Sequence, residues 1–281
     1  MLGEGIESVL AQSFSNYELI VVDDGSTDNT VKEIERFGAK VRLFARQRKG
    51  VSAARNYGVS RSSGCYLAFL DSDDLWQPAK LARQTAFMAR HSECQICQTE
   101  EIWLRNGTRV NPKAVHRKTS GDIFVRSLDL CLVSPSAVMM TRQLYERLGG
   151  FDEAFPVCED YDLWLRIAVD HEVPLITEPL VIKRGGHADQ LSRSLWGMDR
   201  FRVQALTKLL RGELGGTRRA AALAALRRKI AVLANGARKR GQEQAVAAFE
   251  AILAEFDQEP IHVGACDPRL RQSKGLSPAD D

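Results

Sequence analysis

What the sequence lacks narrows it first. Nowhere do its 281 residues run to the roughly 20 uninterrupted apolar positions that a membrane-spanning helix needs. The N-terminus shows no basic stretch followed by an apolar one, the mark of a secretion signal. A cytoplasmic location is therefore expected. Excess charge of one sign is also missing: 39 Lys+Arg stand against 36 Asp+Glu, so a net charge of +3 nominates no polyanion, and no nucleic-acid partner is expected. The six cysteines (Cys65, Cys94, Cys97, Cys131, Cys158 and Cys266) fall at irregular intervals, and in a chain without a secretion signal they are expected as reduced thiols. Cys94-Gln-Ile-Cys97 is the one close pair; no second pair completes a zinc set, so a buried thiol is the expected role. Length excludes a stapled mini-protein, since at roughly 150 residues per domain there is material for about two.

What is present is an alternation of patterns. Ile6, Val9, Leu10 and Phe14 recur at helical spacing and predict a helix over 3–14. Leu19 to Val22 reads as a buried strand opening into Asp23-Asp24-Gly25-Ser26, followed by a helix over 30–37, a strand over 41–45, a helix over 52–60 and a strand over 66–70. Past Pro78 the pattern gives a helix to Arg90, strands near 95–104 and 137–140, a helix over 142–148 stopped by Gly149-Gly150, and an amphipathic helix over 159–169. Strands and helices taking turns predict an α/β fold with a mainly parallel sheet. From Leu195 the composition turns to Ala, Arg, Leu and Lys, with helices over 218–240 and 243–256. The expected layout is an α/β domain over 1–194, a helical region over 195–258 and a disordered tail over 259–281. The arginines of that region read as a solvated helix face, with a peripheral seat on anionic lipid as the other reading.

Carboxylates at the ends of buried strands are not explained by packing, because that edge is where open α/β sheets place ligands. Asp23-Asp24, Asp71-x-Asp73 and Glu159-Asp160 are three such clusters. Each alone is a common turn, cap or first-turn pair; together they point to a site. Asp71 and Asp73, two residues apart, suit a hard divalent cation, Mg²⁺ or Mn²⁺, which leaves room for substrate phosphates.

The segments Val21-Val22-Asp23-Asp24-Gly25-Ser26-Thr27-Asp28, Gly50-Val51-Ser52-Ala53-Ala54-Arg55-Asn56, Phe69-Leu70-Asp71-Ser72-Asp73-Asp74, Gly149-Gly150-Phe151-Asp152-Glu153 and Glu159-Asp160-Tyr161-Asp162, in this order over about 3–193, closely resemble family 2 glycosyltransferases of the Rossmann-like GT-A fold. The resemblance implies an inverting transfer of a sugar from a nucleotide diphosphate donor, usually UDP-linked, to a hydroxyl of a glycan or lipid-linked acceptor. It implies that Asp24 accepts from the donor's base, Asp23 supports the turn, and Gln47 and Arg55 contact the nucleotide. Asp71 falls near ribose and metal-bound water, Asp73 on the metal, Glu159 on sugar or acceptor, and Asp160 at the general base. His187, in Gly185-Gly186-His187, matches a segment that in some relatives closes over diphosphate or metal; a histidine in a glycine-rich surface loop is the alternative.

Relatives carry a further strand ahead of the first helix, lying between the strand that ends at Asp24 and the one that ends at Asp71. A start upstream of Met1 is the expected explanation, with closing-up of the neighbouring strands or loss of catalysis as the others. Two further functions compete: a nucleotidyltransferase, which would share the Asp-x-Asp logic but attack phosphorus, and a noncatalytic donor-binding or scaffold protein.

Overall fold

The computed structural model describes residues 1–186 and 197–257. The expected tail over 259–281 lies outside the described residues, as does His187.

The N-terminal third runs α1 (Leu2–Leu10), β1 (Ile20–Asp23), α2 (Thr30–Glu35), β2 (Arg42–Ala45), α3 (Val51–Ser60) and β3 (Tyr66–Ala68). α1 buries Ile6 and Val9 on one face and approaches the 71–76 loop so closely that a Cβ on Gly5 would lie 3.4 Å from the Asp74 carbonyl oxygen. It ends four residues before Phe14 because Ser13 donates its amide to the Pro78 carbonyl instead of continuing the helix. The middle holds β4 (Leu75–Trp76), α4 (Lys80–Arg90), β5 (Ile96–Arg105), β6 (Thr108–Val110), α5 (Phe124–Ser127), β7 (Val138–Thr141), α6 (Arg142–Arg147), α7 (Glu159–Ala168) and β8 (Leu175–Gly185). Three helices follow: α8 (Met198–Arg211), α9 (Gly216–Lys239) and α10 (Glu243–Asp257).

The α/β class is as expected, but the sheet is mixed rather than mainly parallel. β1 and β2 pair in parallel as a two-stranded sheet of their own. The larger sheet runs β3-β7-β5-β8-β4, with β6 on the far stretch of β5; only β5 and β8 are parallel, and the other pairs are antiparallel. β5 is the cause, since it accepts β7 on one edge and the hairpin partner β6 near its end, both returning against it. β1 and β3 do not join, so the neighbouring strands have not closed up. With β2 as its one ladder partner, the run Ile20-Val21-Val22 stays half-buried instead of fully buried.

The largest core is organised by α7, whose Tyr161, Leu163, Trp164, Leu165, Ile167 and Ala168 are all buried. α8, α9 and α10 extend that same cluster through Leu206, Leu226, Ile230 and Phe256. Part of their basic charge ties them to the body: Arg218 pairs with Asp122 at 3.0 Å and Arg228 with Asp129 at 2.9 Å. No helix among the described residues is long and apolar enough to cross a membrane.

Candidate active site

α3 is the element on which the acidic clusters converge. Its N-terminus needs acceptors for free amides, and Asp24, just past β1, provides them: its carboxylate accepts from the backbone amides of Lys49 at 3.0 Å and Gly50 at 2.7 Å. Arg46 adds an ion pair at 3.4 Å. Asp23 is buried and accepts from the Ser26 amide at 3.2 Å, closing the turn after β1. Gln47 lies exposed on the loop after β2.

One turn into α3, Arg55 binds two of the remaining carboxylates at once. Its Nη2 donates to Asp71 Oδ1 at 2.7 Å and its Nη1 to Glu159 Oε1 at 2.6 Å, while the guanidinium lies 4.9 Å from the Phe151 ring centroid. Burial works against the Arg55 charge, but Asp71 and Glu159 hold it firmly protonated. Phe151 is itself held by Asn56, whose Oδ1 accepts from the Phe151 amide at 3.1 Å and from the Tyr145 hydroxyl at 2.5 Å. Gly150, at φ +69°, completes the turn: a Cβ there would lie 2.9 Å from Asn56 Oδ1 and from the Tyr145 ring.

The first turn of α7 carries Glu159 and Asp160. The residue before it, Cys158, sits at φ 61°, a left-handed conformation uncommon for a side chain with a Cβ and one that clusters at functional sites. Glu159 is buried; that burial and the adjacent Asp160 charge push its carboxyl above the usual range, against the pull of Arg55. Asp160 accepts from the Tyr161 amide at 2.7 Å through Oδ1 and from the Cys131 thiol at 3.3 Å through Oδ2. No ion pair holds Asp160 among the described residues.

The loop after β3 turns by way of Ser136, whose hydroxyl accepts from the Asp71 amide at 3.1 Å and donates to Asp74 Oδ2 at 2.7 Å. Asp74 also accepts from the Arg184 amide at 3.0 Å, and burial, with the charge of Asp71 next, pushes its carboxyl up to about 7. Asp73 is half-buried, and its carbonyl oxygen accepts from the Arg184 guanidinium.

Sequence reasoning missed Lys183. It projects from β8 opposite Trp103 of β5 and donates to Ser134 Oγ at 3.3 Å. Burial opposes its charge, yet Glu101, Asp74, Asp71 and Asp160 around it hold the ammonium well above its ordinary pKa. β8 was hidden by Pro179, which sits where the β5–β8 register shifts at a bulge and breaks the period-two pattern. Asp74 stood in the recognised segment without a role; its depth of burial has no local signal. Trp164 is core, and the Cys97 thiol is buried against Gln84 with its pKa pushed up to about 12.

Two cavities of about 410 Å³ each adjoin the site. One lies beside Asn56, Gly150 and Asp152, the other beside Trp103, Lys183 and Arg184.

Comparison with known proteins gives the family and the fold. The family model described as Glycosyl transferase family 2 matches residues 1–149. An uncharacterized glycosyltransferase of Rickettsia conorii is 31% identical over 202 residues, covering 68% of this chain and 33% of its own length. The Escherichia coli protein WfgD, named UDP-Glc:alpha-D-GlcNAc-diphosphoundecaprenol beta-1,3-glucosyltransferase, is 33% identical over 177 residues, 62% of this chain and 67% of its own. The chain thus spans about a third of some curated relatives it matches. Among solved structures, S. aureus TarS 1–349 in complex with UDP-GlcNAc superposes with a TM-score of 0.65 at 19% identity, covering 80% of this chain and 66% of that one. Mannosyltransferase PcManGT from Pyrobaculum calidifontis, in complex with GDP-Man and Mn²⁺, gives 0.54 at 20% identity, covering 92% and 84%.

Proposed function

The chain belongs to glycosyl transferase family 2, and from that premise we propose that it moves a sugar from a nucleoside diphosphate donor, UDP-linked by preference, to an acceptor hydroxyl with inversion at the anomeric carbon. The observation that carries the reading is the Arg55 clasp, which ties the loop after β3 to the N-terminus of α7 from a helix whose own start is gripped by Asp24. Carboxylates far apart in sequence thereby face one region.

Displacement at an anomeric carbon needs a base on the acceptor side and charge neutralisation on the opposite side. Asp160 is the base: it takes the proton of the incoming hydroxyl as the new bond forms. The Tyr161 amide and the Cys131 thiol hold its carboxylate in place. Glu159, fixed by Arg55, faces sugar or acceptor. Asp24, Asp23 and Gln47 line the nucleotide side, with Arg55 and Asp71 next to the phosphates and ribose.

Asp73, with the Asp71 oxygen that Arg55 leaves open, would hold the divalent cation. Two carboxylates are what Mg²⁺ or Mn²⁺ needs when waters and substrate phosphates complete its shell, and among the described residues no cluster of three or more ligating side chains offers a denser site. When bound, the ion supplies positive charge to the departing diphosphate. The acceptor, a glycan or lipid-linked sugar, implies work at the inner membrane face in surface polysaccharide or related glycan assembly; the name of WfgD supports that class.

Calorimetry with UDP, with and without Mn²⁺, followed by a panel of nucleotide sugars scored for nucleoside diphosphate release, tests the reading. Metal-enhanced UDP binding and diphosphate release are expected. No UDP binding under either condition would favour a noncatalytic scaffold, and release of pyrophosphate a nucleotidyltransferase.

A further inference from the structure

The cavity beside Lys183 lies on the face of the β5–β8 pair that carries Glu101, Trp103 and Arg105, across the 71–74 loop from α3. Its cations are Arg105, Lys113, Lys183 and Arg184, the last already paired with Glu4, and no carboxylate is among the described residues that line it. Trp103 and His116 form one wall, their ring centroids 5.8 Å apart. The Trp103 indole is pinned by its donation to Glu101 Oε2 at 2.9 Å, and Glu101 in turn is bound by buried Lys118 at 2.9 Å. Glu101 is thus already engaged, and the ammonium of Lys183 stands 5.9 Å from the Trp103 ring. Its volume, about 410 Å³, falls among small-ligand sites, which run roughly 300–1,000 Å³.

A pocket lined by Arg105, Lys113 and Lys183, with no lining carboxylate and an aromatic wall, fits an anion joined to an apolar or sugar body. Its position says which anion. Lys183 lines it and feels the charges of Glu101, Asp74 and Asp71 and, more weakly, of Asp160, whereas Asp24 and Arg55 hold the nucleotide side on α3. Arg184 fixes the pocket to the metal loop through its bonds to Asp74 and to the Asp73 carbonyl. We propose that this cavity is an acceptor subsite that takes a phosphate or diphosphate group carried by the molecule whose hydroxyl Asp160 deprotonates. The inference rests on the glycosyltransferase reading and deepens it. Arg105 and Lys113, exposed at the mouth, draw the anion in; Lys183 binds it and sets the distance between the phosphate and the reacting hydroxyl.

The test is calorimetry of the full chain with n-octyl diphosphate while saturating UDP and Mn²⁺ occupy the donor side. Binding is expected to persist, to exceed that of neutral octyl glucoside, and to fall at least about tenfold, or about 1.4 kcal/mol, in the double variant Arg105→Glu, Lys113→Glu. UDP affinity should stay unchanged in that variant, which also shows that it has folded. Displacement of octyl diphosphate by UDP would assign the anion to the donor side and overturn the proposal, as would equal binding by the double variant or by octyl glucoside. Absence of octyl diphosphate binding with UDP binding intact sinks this inference alone; absence of UDP binding sinks the glycosyltransferase reading beneath it.

Discussion

Arg55→Met removes the clasp while keeping an unbranched chain over Phe151. Glu159 loses its sole ion-pair partner among the described residues, and its side chain is only 7% exposed, so water cannot replace the guanidinium. Asp71, at 30%, is better hydrated and loses less. Breaking one side of a buried pair costs about 3–5 kcal/mol, a large share of the 5–15 kcal/mol typical of a domain. At roughly 2–4 °C per kcal/mol for a chain of this size, melting should fall by about 6–20 °C near pH 7.5. The pH dependence has a definite sign. Glu159 already titrates above its ordinary 4.5, so its protonated form is favoured by the fold. Without Arg55 that preference grows; the stability tied to it is complete below pH 4.5 and is lost as pH rises through the folded value. The variant should therefore recover part of its deficit at pH 5, and Glu159→Gln added to Arg55→Met should recover much of it at pH 7.5. Thermal unfolding at both pH values checks this. A deficit under about 1 kcal/mol, or one equal at the two pH values, would refute the idea that Arg55 neutralises a buried acid.

Asp74, raised to about 7 from 3.8, gives stability that is complete below pH 3.8 and lost on rising to about 7; Asp74→Asn should flatten that slope in unfolding followed from pH 5 to 8. Lys118→Met leaves Glu101 buried and unpaired and should cost about 3–5 kcal/mol by chemical denaturation, most of it restored by adding Glu101→Gln. Gly150→Ala combines a left-handed backbone with a Cβ 2.9 Å from Asn56 and Tyr145, and should destabilise by more than about 1 kcal/mol, whereas Gly149→Ala, with open space around it, should pay only the backbone term.

Asp23-Asp24 and Asp71-x-Asp73 were legible because each follows a short apolar run, and Glu159-Asp160 because it opens an amphipathic helix, α7, whose buried residues recur at helical spacing. What joins them was not. Arg55 meets Asp71 across 16 residues and Glu159 across 104, and nothing local in the chain encodes either pairing. Strand direction was missed for the same reason: the antiparallel returns of β6 and β7 onto β5 depend on partners, not on period. β4 is too short to show a pattern, and β8 is interrupted by Pro179 at its bulge. With β8 went Lys183, whose role follows from its neighbours across the sheet rather than from any spacing of its own.

The most direct measurement is transfer by Asp160→Asn. The amide keeps the size of the carboxylate and the contact with the Tyr161 amide but accepts no proton. General-base removal predicts a fall in sugar transfer of about 10²–10⁴, with UDP affinity in the presence of Mn²⁺ within about twofold of the unmodified protein. Transfer at the unmodified rate would contradict the assignment of Asp160 as the base on which the mechanism depends.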